Sequence, residues 1–179
     1  WELSEMIKYA LQQKHPAAVR YPRGEAYDGL EGFRAPVVLG KSEVLYEGGS
    51  VVLLAYGSMV KTALEVRERL MQEGTACALV NMRFAKPLDK DMLRDAAGTY
   101  DLVVTMEENV RPGGMGEAVV EYLDSIGAQV PVLLAAIEDG FIPHGNAEVL
   151  KREAGLDADS IADNIKTAMK RIRRKTVGI

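Results

Sequence analysis

Hydrophobic positions change period repeatedly along the chain, and each change marks an element. Leu3, Met6, Ile7, Ala10 and Leu11 recur at helical spacing, so the chain opens in a helix. Pro16 biases His15 out of helical geometry and should end that helix near Lys14. Residues 17–21 read as a short strand, stopped by Pro22 and Gly24. From Gly24 to Pro36, glycines and charges break every period, which predicts an exposed linker and a domain boundary. Residues 43–47 and 51–56 read as two strands joined at Gly48-Gly49-Ser50, a predicted hairpin. The second of them, Val51-Val52-Leu53-Leu54-Ala55, is apolar throughout, as a strand covered on both faces would be. Val60, Ala63, Leu64 and Leu70 predict a helix with Ser58 as N-cap and Gly74 as its stop. Further strands are predicted over 76–82, 102–105 and 130–136. Helices are predicted from an Asp89 cap through Ala97, around Ala118 to Ile126, and twice more before the C-terminus. Strand and helix in alternation predict an α/β fold: a mixed, mostly parallel sheet flanked by helices, its antiparallel edge supplied by the hairpin.

Composition narrows the classes. The 179 residues are 47% hydrophobic and 27% charged, with net charge -4, which excludes disordered, collagen-like and low-complexity chains. A pI near 5.3 argues against a dedicated nucleic-acid binder. Cys77 stands alone, so no internal disulfide can form and a reducing compartment is expected. No apolar run approaches the roughly 20 residues that span a bilayer, and no membrane role is expected. The start lacks a signal-peptide pattern. It begins at Trp1, already inside a helical pattern, and we read the chain as a fragment or processed product.

Candidate chemistry is sparse. The glycines of Pro112-Gly113-Gly114-Met115-Gly116 lie between a predicted strand and helix, where backbone N–H groups could face a phosphate. The dinucleotide fingerprint fails, with Val119 where its third glycine should stand, a long loop from Met106 to Gly113, and Glu107 and Glu108 close by. His15 and His144 are the only histidines, and with one cysteine they are poor material for a triad or a zinc site, so no metal site is expected. The basic run from Lys170 to Lys175 reads as a solvated helix end favoured by the macrodipole. Arg20 and Arg23, in Val19-Arg20-Tyr21-Pro22-Arg23-Gly24, put two guanidiniums at the end of a predicted strand. That is where parallel sheets gather ligands, and a guanidinium fork suits a phosphate monoester; a surface ion pair or linker clamp is the alternative.

Arg20-Tyr21-Pro22-Arg23-Gly24 resembles the segment closing the pyrimidine-binding domain in the 1-deoxy-D-xylulose-5-phosphate synthase family. The resemblance continues through Ala55 to Val60, Asn81 to Asp89, Glu107-Glu108-Asn109 with Gly113 to Gly116, Asp139 to Gly145, and Gly155-Leu156-Asp157-Ala158. It covers essentially everything up to about Arg174. It implies residues 1–24 as the last helix and strand of the pyrimidine-binding domain, 25–42 as a linker, 43–175 as a transketolase C-terminal domain, and 176–179 as a tail. The activity implied is a thiamine-diphosphate- and Mg²⁺-dependent decarboxylating condensation of pyruvate with glyceraldehyde 3-phosphate. Its product feeds isoprenoid, thiamine and pyridoxal biosynthesis, in a homodimer of the bacterial cytoplasm or the plastid.

The resemblance also implies site residues. Arg23 would anchor the aldehyde's phosphate, with Arg20 and Tyr21 as neighbours, while Glu107, Glu108 and Gly114 would lie at or near the dimer contact. No catalytic residue is expected here: the Gly-Asp-Gly start that holds Mg²⁺ and diphosphate is missing, as is the glutamate that activates the cofactor. The fragment alone is expected to bind no cofactor and to be inactive without its N-terminal domains. Two other readings share the fold: a bare assembly module, and the equivalent domain of a transketolase or 2-oxoacid dehydrogenase β subunit.

Overall fold

Val51–Ala55, apolar at every position, is fully buried in the computed structural model of the protein, which describes residues 1–22, 24 and 26–177. Around it the chain forms α1 (Glu2–Leu11), β1 (Glu43–Tyr46), β2 (Val51–Ala55), α2 (Met59–Gln72), β3 (Cys77–Asn81) and α3 (Lys90–Thr99). Then follow β4 (Leu102–Val110), α4 (Met115–Ser125), β5 (Val132–Ile137), α5 (Ala147–Glu153) and α6 (Ala158–Val177). The five strands lie in the order β1-β3-β2-β4-β5, parallel except for β1. The mixed, mostly parallel sheet flanked by helices is therefore the one expected.

Alternate residues of β2 feed two cores. Val51, Leu53 and Ala55 pack with α2 and α6, through Ala63, Val66, Leu70, Ile161 and Ile165. Val52 and Leu54 pack with α3 and α4, through Leu93, Ala96, Val119 and Leu123. A strand with helices on both faces must be apolar at consecutive positions, which is why no alternation was visible in it. Cys77 belongs to the first core, and burial pushes its thiol up to about 11 against a small opposing pull from Arg67. It behaves as a small core residue with little thiolate character.

Four sequence expectations need correction. The hairpin does not form: β1 pairs antiparallel with β3, matching Glu43 to Asn81 and Val44 to Val80, while β2 lies on the far side of β3. Gly48-Gly49-Ser50 instead carries the chain past the start of β3. Gly49 has φ 74°, and a Cβ there would come within 1.9 Å of the Ala76 carbonyl oxygen. Glycine in that turn thus serves a close crossing, a signal no local pattern distinguishes from a tight turn. Residues 17–21 form no strand, because among the described residues no neighbouring backbone takes their ladder bonds. Ser58 stands at the start of α2 with helical φ and ψ, and its side chain makes no capping bond. Finally, β4 runs on to Val110, so the loop before α4 is short. At the C-terminus α6 extends to Val177, and residues 178–179 of the expected tail lie outside the described residues.

Asp89 caps α3 as expected and also ties it to the linker. Its carboxylate accepts from the Met92 N–H (3.2 Å), the Ser42 N–H (2.9 Å), the Ser42 hydroxyl (2.9 Å) and the Lys41 ammonium (3.3 Å). Burial pushes this carboxyl up, but the hydrogen bonds from Ser42 and Met92, with those of the Ser42 hydroxyl and Lys41, outweigh it and hold it below the usual carboxylate range. A depressed carboxyl adds stability that is complete above its unfolded pKa, about 4, and is lost as pH falls through the folded value. Asp89→Ala is expected to cost about 1–2 kcal/mol at neutral pH. In urea melts below pH 4 the gap from the parent chain should narrow, and a gap independent of pH would disprove the linkage.

Candidate functional site

The chain order leaves a topological switch in the sheet. From β2 the chain turns through α2 to β3 on one side, and from β4 it turns through α4 to β5 on the other. In doubly wound sheets ligands bind outside the carboxyl ends of the strands at such a point. Here those ends belong to β2, whose Ala55 pairs with Met106, and to β4 just beyond that pair. The glycine-rich start of α4 opens onto the same place.

Glu107, the residue after Met106, fills that start. It is fully buried. One carboxylate oxygen, Oε1, accepts from the Gly116 N–H at 2.7 Å. The other, Oε2, accepts from the Met115 N–H and from the Asn109 side-chain amide, both at 2.8 Å. The carboxylate thus takes the role a bound anion would have at this helix start. The glycines make room for it: a Cβ at Gly114 would fall 2.7 Å from Glu107 Oε1 and 2.8 Å from the Val110 carbonyl oxygen, and one at Gly116 would fall 2.6 Å from Thr105 Oγ1. Pro112-Gly113-Gly114-Met115-Gly116 is therefore no nucleotide loop, and the repelling acid suspected there is the occupant itself. Glu108 pairs with Lys151 (2.6 Å) and Arg111 with Glu138 (2.5 Å), half-exposed pairs worth at most about 1 kcal/mol each.

The N-terminal segment is laid across these carboxyl ends. At β3, the Asn81 amide donates to Glu2 of α1 at 3.0 Å. Arg83, left-handed with φ 53° and with a side chain only 1% exposed, donates to Glu2 (2.6 Å), to Glu43 of β1 (2.5 Å) and to the Ala35 carbonyl (3.1 Å). Tyr9 of α1 meets the Phe84 ring edge-on, centroids 6.0 Å apart. At β4, Arg20 Nη2 donates to Asn109 Oδ1 at 3.1 Å. The apolar stripe of α1 faces away, with Leu3, Ile7 and Leu11 exposed.

Of the residues expected to bind phosphate, Arg20 therefore sits at the carboxyl end of β4 and Tyr21 beside it is 69% exposed. Arg23 lies outside the described residues. Glu107 lies beneath the turn that contains Gly114, whereas Glu108 pairs with Lys151 of α5. The block from 139 to 145 forms an exposed loop in which Phe141 has no protein cover. Among the described residues no group of three or more His, Cys, Asp or Glu could hold a metal ion, and no helix is long and apolar enough to cross a membrane. Sequence reasoning missed Glu2, Asn109 and Arg83 as partners. The available signal was a buried-strand run ending in acid and amide just before a Gly-x-Gly helix start.

The chain and its fold have counterparts among known proteins. Residues 40–161 match the family model of the transketolase C-terminal domain. A 1-deoxy-D-xylulose-5-phosphate synthase of Lachnoclostridium phytofermentans is 42% identical over 166 residues, 92% of this chain and 27% of that protein. The synthase of Aquifex aeolicus is 39% identical over 94% of this chain and 27% of its own length. The chain thus spans about a quarter of the length of these relatives. Among solved structures, a split-gene transketolase described as an inactive beta4 tetramer superposes with TM-score 0.79 at 30% identity, over 93% of this chain and 54% of that one. The transketolase of Campylobacter jejuni, 18% identical with TM-score 0.60 over 92% of this chain and 24% of that one, shares the fold.

Proposed function

The chain belongs to the transketolase C-terminal domain family and is homologous to the C-terminal region of 1-deoxy-D-xylulose-5-phosphate synthases, and from that premise we propose that it is the corresponding part of such an enzyme. The reaction so assigned joins pyruvate to glyceraldehyde 3-phosphate with loss of carbon dioxide, in a bacterial cytoplasm, for isoprenoid, thiamine and pyridoxal synthesis. In this reading the chain supplies Arg23, and beside it Arg20 and Tyr21, to the aldehyde's phosphate. The observation that carries it is the docking of Arg20 on Asn109 at the carboxyl end of β4, three residues from Arg23. A ligand on a parallel sheet is met at that end.

Residues 1–24 we assign to the end of the pyrimidine-binding domain. The exposed Leu3, Ile7 and Leu11 support this, since an amphipathic helix ordinarily buries its apolar face. A homodimer contact is placed around Glu108 and Gly114, above the buried Glu107. The residues present do not fit thiamine diphosphate or Mg²⁺. The glycine-rich helix start that could cradle a diphosphate already holds the Glu107 carboxylate, and the described residues offer no metal cluster. The cofactor's cradle belongs, in this reading, to other parts of the enzyme.

Arg23→Ala in the full enzyme is expected to raise the apparent KM for glyceraldehyde 3-phosphate about tenfold or more, since a charge-assisted contact is worth about 1.5–3 kcal/mol. Pyruvate kinetics should change little. An unchanged aldehyde KM would leave only an assembly role. As a companion, the purified 179 residues with thiamine diphosphate, Mg²⁺ and both substrates should form no product.

A further inference from the structure

The amide of Asn109 has two faces, and its surroundings dictate which is which. Glu107 is fully buried and presents a carboxylate, which as an ion only accepts hydrogen bonds. The Asn109 NH₂ must therefore face Glu107, where it donates at 2.8 Å. That leaves Oδ1 on the other side, and Oδ1 is where Arg20 Nη2 arrives at 3.1 Å. With the amide turned over, an N–H would face the guanidinium, donor against donor. Glu107 is itself fixed by the Met115 and Gly116 N–H groups at the start of α4. The relay runs from a helix terminus, through a buried acid, to an amide, to an arginine three residues before Arg23.

We propose that Asn109 is a positioning residue, oriented by Glu107, that seats Arg20 on the carboxyl end of β4 and so anchors the chain that leads into the phosphate-binding residues. This deepens the function assigned above and rests on it for the ligand. It does not rest on it for the docking, which is a property of the 179 residues alone. Neither Asn109 nor Glu107 touches substrate in this account. Their effect passes through the placement of the segment, so it belongs in aldehyde binding and not in turnover.

Two measurements separate the docking from the ligand. In the chain itself, limited trypsin digestion reads the segment. Cleavage after Arg20, normalised to cleavage after Lys14, should quicken several-fold in Asn109→Ala, because a backbone must leave its support to enter a protease. An unchanged ratio would overturn the docking. In the full enzyme, Asn109→Ala and Arg20→Ala should each raise the aldehyde KM about three- to tenfold with kcat nearly constant. The double variant should be no worse than the larger single one, because both remove the same link. If Arg23→Ala raises that KM and Asn109→Ala does not, the positioning role is wrong. If neither changes it, the phosphate reading is wrong, and the trypsin ratio still decides whether Asn109 holds the segment.

Discussion

Arg83→Ala is expected to destabilise the chain by about 3–5 kcal/mol, the cost of leaving a buried partner charge uncompensated. In a chain of this size that lowers Tm by about 10 °C. Arg83 is one of the few charged side chains in the interior, and three segments converge on it: Glu2 of α1, the Ala35 carbonyl of the linker and Glu43 of β1. Glu43 is only 8% exposed, and without the guanidinium it would keep only the Ala35 N–H, which donates at 2.8 Å. Arg83→Lys retains one charge without the planar fork and should lose about half as much. Adding Glu43→Gln to Arg83→Ala removes the stranded charge while keeping an acceptor for Ala35, so it should restore part of the loss. Glu2→Ala, by contrast, removes a half-exposed partner and should free α1 without unfolding the sheet, visible as faster amide exchange confined to residues 2–11. Urea melts of the four variants decide the matter. A loss below 1 kcal/mol in Arg83→Ala, or a double variant weaker than the single, would show that the cluster does not hold these segments together.

Glu107→Ala is expected to cost about 3 kcal/mol or more. It orphans the Met115 and Gly116 N–H groups in a dry interior, at about 1–3 kcal/mol each, and removes an anion from the start of α4. Glu107→Gln should fall between, since its carbonyl can accept from one N–H while its amide faces the other donor. The informative arm is chemical. A small carboxylate such as formate can enter the space the side chain leaves and take over its hydrogen bonds. At ten times its dissociation constant it would return about 1.4 kcal/mol. Formate should therefore raise the urea midpoint of Glu107→Ala relative to chloride at equal ionic strength, and leave the parent chain unchanged. Equal responses would mean that the carboxylate is not acting as a built-in anion. The same result bears on the fold's chemistry, since this domain then carries its own occupant where related sheets leave room for a ligand.

Much of this was legible in order of residues. The continuous run in β2 announced a strand covered on both faces, and Asp89 announced α3, because apolar periodicity and a capping side chain act within a few residues of themselves. The glycine turn before α4 was also visible, together with the acids that make it hostile to phosphate. What it was built around was not visible, because Glu107 reaches Gly116 across nine positions and its partners are backbone groups that every sequence contains. The hairpin failed for a similar reason. Gly48-Gly49 permits a reversal, but whether β1 then lies on β2 or on β3 depends on which edge is free once α2 has brought β3 back.

The sequence alone determined the alternation of strands and helices, the division of β2 between two cores and the family, all of which follow from spacing and from ordered local blocks. Only the tertiary structure decided that β1 flanks β3, that Arg83 gathers α1, the linker and β1, and that Glu107 closes the start of α4. Each of those is a choice of partner between groups far apart in the chain. Such choices are settled by which buried charge or backbone donor would otherwise go unpaired, a cost that exists only once the segments have met.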